Sequence, residues 1–489
     1  MHSKFKHLTT AAALALSAGA IATALASEPI AERIPAAQAF ANHQIVQLAV
    51  PDVLPDSLQI ATTIDGAPTT LMLSKRSLRS DDFQLLEDRG NGNLVAVAPP
   101  PVRTYRGIVD GYSDSRVSLT LGERGLSGRI RIGEQRYWMQ PLSDFDTNAA
   151  RGEHVLYRSE DVLHRAGTCG VVDEAPSAQL NDVVAPQPIG GPQPHRCDDP
   201  THAHGEETDP PIIDRGGGNG AFGYYKVKIA FDVDYEFYDR QDNDSSQVLT
   251  WIDTHMNDLD AIYESEVGIC YTYPTVIVRT TTSDPYSATD AGDRLAQLDT
   301  EWTNNRSGVT RLMTHLLTAV NLDGSTVGIA RIPGVSCFGV SNAYGLSQDI
   351  GVGSGTYYQS VQVELIAHEL GHNWNAPHES CGIMTSGLPG GSQGRTDFCT
   401  SSENAITSHL GGNLSCNDCV AGGYCPEPCA CGSTYGVGPV NPAGFILAYL
   451  ITGDCGSRIL LIGNPTADFV DGTVLSGDNV LILGAGLFR

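Results

Sequence analysis

The residues best equipped for chemistry stand in one run, His368-Glu369-Leu370-Gly371-His372, followed by Asn373-Trp374-Asn375-Ala376-Pro377-His378. On a helix, two histidines four apart share a face one turn apart, so both imidazoles reach a single ion. Glu369 is rotated about 100° from His368. That puts it beside the ion rather than on it, where it can act as a general base toward water. A third donor, His378, is available if the helix stops and the chain swings back. Asn375 suits that stop, because Asn tolerates the left-handed conformation better than most residues. Three imidazoles with a fourth position left open are the donor set of one catalytic zinc ion. Zinc in such a site acidifies water and polarises a carbonyl, so the expected reaction is hydrolysis of a peptide bond. Glu369 would take the proton from water and deliver it to the leaving amine. An HExxH run also arises in helices that bind nothing; the third histidine at this distance favours the site.

These side chains need a helix held against a sheet, and the preceding sequence supplies one. Residues 226–231 read as a strand, and 247–267 as a helix with Leu249, Ile252, Met256, Leu259 and Ile262 on one face. A strand at 273–279, a helix at 288–306, and strands at 309–317 and 326–332 lead to the active-site helix at 360–374. That order is expected of an α/β (α+β) domain with a mixed sheet, spanning 223–415. Upstream, residues 117–121 and 126–132 alternate apolar and polar around a glycine turn, so 27–171 is expected to be β-rich. Between the two, 172–222 is rich in Pro and Gly and reads as an exposed linker open to proteolysis.

The run HELGHNWNAPH resembles the metzincin zinc motif, HExxHxxGxxH, with Asn375 where the family usually has Gly. Cys381-Gly382-Ile383-Met384-Thr385 is similar to the family's Met-turn, which implies Met384 beneath the metal. Glu379 stands where the adamalysin (reprolysin) branch usually has Asp. Residues 313–317 and 322–330 resemble the stretch leading to that branch's substrate-facing edge strand. The resemblance implies that Gly328, Ile329, Ala330 and Arg331 pair with an extended peptide by β-addition; an ordinary edge strand is the alternative. Residues 104–109, 118–121, 126–128 and 137–138 resemble an adamalysin-type propeptide. Cys169-Gly170-Val171 resembles the family's cysteine switch, which implies that Cys169 binds zinc in a zymogen. Two alternatives stay open: a Cys169–Cys197 disulfide, and Cys197 as the switch. Activation would be a cut in the linker, for example after Arg215.

Composition bounds the rest. Residues 1–26 read as a secretory signal: Lys4 and Lys6, then an apolar Ala/Leu run, then small residues at a cleavage site. No other stretch is long and apolar enough to span a membrane, so a secreted, extracellular protein is expected. With 56 acidic against 30 basic residues, phosphate backbones are poor partners, and nucleic acid is not expected. Protein or peptide substrates are. Twelve cysteines fit an oxidising compartment. Cys270, Cys337, Cys381 and Cys399 are expected to form two disulfides of unassigned pairing. Six more cysteines between 416 and 455 suggest a stapled segment. Residues 471–478 resemble a dockerin-type calcium loop, although Ala467 and Phe469 occupy ligand positions, so Ca²⁺ has little to hold it. The tail, 416–489, reads as a degenerate module for a partner or surface. Two other readings compete with an active endopeptidase: a silent secreted adhesion protein, and a zinc peptidase with a distant glutamate ligand. Intact Glu369 weighs against the first and His378 against the second.

Overall fold

A computed structural model describes residues 34–90, 92–163, 167–171, 225–335, 342–351, 357–388 and 397–412, with short strands between 418 and 483. The signal segment, the linker and Cys197 lie outside the described residues.

Alternating side chains build the first sheet. A short helix α1 (Ala36–Ala39) precedes strands β1 (Gln44–Gln47), β2 (Ser57–Ile64), β3 (Ala67–Lys75), β4 (Arg79–Asp88) and β5 (Leu94–Val97). Strands β6 (Thr104–Val109), β7 (Tyr112–Leu121), β8 (Leu126–Ile132), β9 (Gln135–Pro141) and β10 (Glu153–Arg158) follow. In β2 every second residue is buried, the pattern of a strand with one face on a core. Eight strands pair in the order β1-β10-β9-β8-β7-β6-β3-β2, each pair antiparallel. Strands β4 and β5 leave this sheet for another.

The second sheet has ten strands. Its centre comes from β12 (Tyr225–Val233), β13 (Ile269–Arg279), β14 (Met313–Thr318), β15 (Thr326–Ala330) and β16 (Ala343–Gln348). Strand β12 lies parallel between β13 and β14, β16 is parallel to β14, and β15 runs antiparallel to β16. The sheet is therefore mixed, as expected. One edge continues from β13 into β4, parallel, and then β5. At the other edge β11 (Gly167–Cys169) lies between β15 and β17 (Gly387–Leu388). Strands expected to belong to a separate β-rich region thus end this sheet at β5 and, as β11, enter it next to the last strand on the other side.

Helix α2 (Tyr235–Arg240) leads into α3 (Ser245–Val267), whose Asp244 cap accepts from the Ser246 amide and whose end is Gly268 at φ 71°. Helix α4 (Ala291–Asn305) is capped by Asp290. The active-site helix α5 (Gln359–Asn373) is wholly buried, and α6 (Thr400–Gly412) closes the domain. Sequence reasoning located α3, α4 and α5 to within about three residues at each end, the usual uncertainty of helix boundaries. It missed α2 and β16. Every residue of β16 is buried, so period two never shows. One core cluster joins Phe40, Trp138 and Tyr157 from the N-terminal part to Tyr263, Leu365 and Met384 from the catalytic part.

In the tail, Thr434–Val437 pairs with Val470–Thr473. Ile446–Thr452, Arg458–Gly463 and Asn479–Leu483 form a three-stranded sheet. Asp471, Gly472 and Thr473, part of the segment that resembles a degenerate calcium loop, therefore sit in a ladder. Asp418–Cys419 pairs with Tyr225–Lys226, so the chain just after the catalytic region returns to its first strand. Among the described residues no helix is long and apolar enough to cross a membrane.

Candidate metal centre and active site

Helix α5 is fixed by hydrogen bonds along its length. The Tyr263 hydroxyl on α3 donates to the Ala367 carbonyl at 2.7 Å. At its end, Asn373 Nδ2 donates to the Arg331 carbonyl at 3.0 Å and the Tyr344 carbonyl at 3.1 Å, tying the helix to the chain leaving β15 and to β16. The helix stops as the sequence suggested: Asn375 takes φ 71°. The Asn375 amide donates to His372 and the Ala376 amide to Gly371, the two bonds of a Schellman motif. The chain then reverses and brings His378 back.

The result is a tight cluster. His372 Nε2 lies 3.0 Å from His368 Nε2 and 3.2 Å from His378 Nε2. Cys169 Sγ is 3.5 Å from His372 Nε2 and 3.5 Å from Glu369 Oε2. One donor atom from each of Cys169, His368, His372 and His378 lies within 4.8 Å of all the others. Cys169 carries a thiol rather than a disulfide sulfur.

The tautomers follow from the neighbours. His368 Nδ1 is 2.7 Å from the Ile383 carbonyl, and His372 Nδ1 is 2.8 Å from the Ala376 carbonyl. A carbonyl only accepts, so each Nδ1 carries the hydrogen and each Nε2 is a bare lone pair. Two lone pairs facing at 3.0 Å share no proton, and an arrangement of this kind is stable around a cation. Zinc at the centre of a tetrahedral set puts nitrogens about 3.3 Å apart and nitrogen from sulfur about 3.6 Å. The donor set fits. Burial pulls the His372 imidazole down to about 3, with His378 adding to the effect, so His372 is neutral at physiological pH and able to bind metal.

Glu369 is completely buried, and its Oε1 makes no hydrogen bond within the described protein. Burial pushes its carboxyl well above the ordinary range, while the Cys169 thiol acts in the opposite sense. A Cβ added to Gly328 would come within 2.5 Å of that Oε1, so β15 approaches the glutamate closely only because residue 328 is glycine. A Cβ on Gly371 would likewise come within 2.4 Å of Met384 Sδ. Met384 is buried, with its sulfur packed toward Gly371 of the histidine motif. Its loop is closed by the Glu379 amide donating to the Met384 carbonyl and by a Cys381–Cys399 disulfide. Cys270 is also disulfide-bonded.

Of the expected edge strand, Gly328, Ile329 and Ala330 lie in β15 and pair with β16. Arg331 follows the strand, and its side chain reaches Asp299 at 3.4 Å. The free side of β15 is taken by β11. The Thr168 amide donates to Ser325 and the Gly170 amide to Gly328, while the Cys169 amide donates across to Ser386. Sequence reasoning did not single out Asn373 or Asp397. Asn373 reads as a helix-end polar residue, and Asp397, whose carbonyl accepts from the Ile383 amide, has no local signal.

A mixed α/β domain whose buried helix presents converging imidazoles beside a buried glutamate carries a donor set that could hold a metal ion. Residues 224–425 match a reprolysin-type family model described as metallo-peptidase family M12. The N-terminal sheet lies outside the match.

Proposed function

We propose that this protein is a secreted, zinc-dependent endopeptidase made as a zymogen. The observation that carries the reading is the convergence of three Nε2 atoms beside Glu369, with the Cys169 sulfur in the same group. His368, His372 and His378 would hold the ion. Zinc bound there would supply a Lewis acid that polarises a peptide carbonyl and makes water acidic near neutral pH. Glu369 would accept the proton of the attacking water at its carboxylate and return it to the leaving nitrogen. The main chain of Gly328 to Ala330 would hold an extended substrate by strand addition. Met384, against Gly371, would keep the floor of the site rigid.

The same geometry supports a latent form of the enzyme. Cys169 fills the fourth donor position, and the strand that carries it fills the side of β15 that a substrate would use. Cutting the chain between Val171 and Tyr225 would free that strand to leave. Glu369 argues against a silent adhesion protein, because holding zinc requires only the histidines. Zinc content and casein digestion of the cut wild type and of cut Glu369→Ala test the reading together. Both proteins should hold about one zinc, and the variant should lose roughly 10²- to 10⁴-fold in activity. Equal digestion by the two, or digestion that survives a chelator, would end it.

A further inference from the structure

The N-terminal sheet does more than carry β11 to the site. Strand β4 pairs with β13 from Thr275↔Gln84 to Arg279↔Asp88. Without it, a buried central-type strand becomes an open edge. Below that ladder, Arg76 and Arg106 both reach the buried Asp260 on α3, at 3.0 and 3.1 Å. Arg79 reaches Asp253, also on α3, at 2.5 Å. Removing the arginines would strand these carboxylates in a site built for paired charges.

The same unit braces the catalytic elements directly. The first turn of α5 has no side-chain cap of its own. Instead the Gln359 amide donates to Gln140 Oε1 of β9 at 3.0 Å. Gln359 Nε2 donates to Asp258, which also accepts from Ser118 of β7. On the far side, Arg136 Nε donates to Asp397 at 2.7 Å. The Asp397 carbonyl accepts from the Ile383 amide, and the Ile383 carbonyl accepts from His368 Nδ1. A chain of hydrogen bonds thus runs from the N-terminal sheet to a metal-binding imidazole.

We propose that cutting the chain between Val171 and Tyr225 releases β11 but not the N-terminal unit, which stays docked as a non-covalent subunit of the mature peptidase. Among the described residues, the segment 167–171 lies against the imidazoles and along β15. The shared core, the β4–β13 ladder and the buried ion pairs are untouched by the cut. The inference rests on the zymogen reading for the cut itself, and the docking is measurable apart from it.

The test uses the folded full chain with a site-specific protease sequence placed between residues 171 and 225. After cutting, gel filtration in 0.15 M and in about 1 M salt should give one peak holding both fragments in equal amounts, because buried pairs are screened little by salt. Elution of the catalytic fragment alone, still digesting peptide, would overturn the inference and leave the zymogen reading standing. Peptide hydrolysis that fails to rise on cutting, with the fragments still together, would count against latency and support the docking.

Discussion

Asn375 shows how much one backbone angle decides. At φ 71° it ends α5 and turns the chain so that His378 faces His372. Asn enters this region at little cost, whereas a β-branched residue there is strained. Asn375→Val should lower stability by about 1–2 kcal/mol and weaken zinc binding, while Asn375→Gly should change either very little. Thermal melts with zinc titrations would check this; a Val variant that melts and binds like wild type would mean another residue ends the helix. This much was legible in sequence, because a left-handed cap is a local property of residue type. The need for glycine at 328 was not, since it arises from Glu369 approaching across the fold.

At the scale of elements, β11 is the informative piece. Three residues long, it is held by main-chain bonds to β15 on one side and to Ser386, beside β17, on the other. Its side-chain anchor is Cys169 at the imidazoles. Removing the thiol leaves the ladder, so uncut Cys169→Ala should digest a peptide substrate at least about tenfold faster than uncut wild type, yet slower than cut wild type. A variant as latent as the wild type would show that the ladder alone blocks the site. Helices α3 and α5 were legible from their spacing and motif. Strand β11 was not, because a Gly-Thr-Cys segment has no strand signature until β15 and β17 stand on either side of it.

Across the whole molecule, the N-terminal and catalytic parts meet at buried charges that should show in pH dependence. Burial pushes Asp258 up to about 7 against the opposing bonds from Ser118 and Gln359 and the charges of Arg106 and Arg129. Burial likewise drives Glu266 to about 7, with Asp397 adding to it and Arg129 opposing. A carboxyl raised in the folded state holds its proton there while the unfolded chain has lost it. The stability it contributes is full below the ordinary value of 3.8 for Asp258 and is lost as pH rises through about 7. Asp258→Asn should therefore flatten the stability profile between about pH 4 and 7, by a few kcal/mol at most. Denaturant midpoints across that range would check it; an unchanged slope would mean that Asp258 is ionised in the fold.

The sequence by itself determined what is local: the helix carrying His368, Glu369 and His372, its left-handed stop, the third histidine, and a Cys-Gly-Val segment suited to bind metal. Each depends on residue type and on spacing within about ten residues. The tertiary structure alone decided that Cys169 lies 3.5 Å from His372 across 203 residues of chain. It also decided that the sheet of the catalytic domain is completed by strands from before residue 171, and that Gln140 caps the active-site helix. Pairings of that range leave no periodic trace in either partner. They exist only when a shared core and a common sheet bring distant segments together, which is also why a cut between the two parts need not separate them.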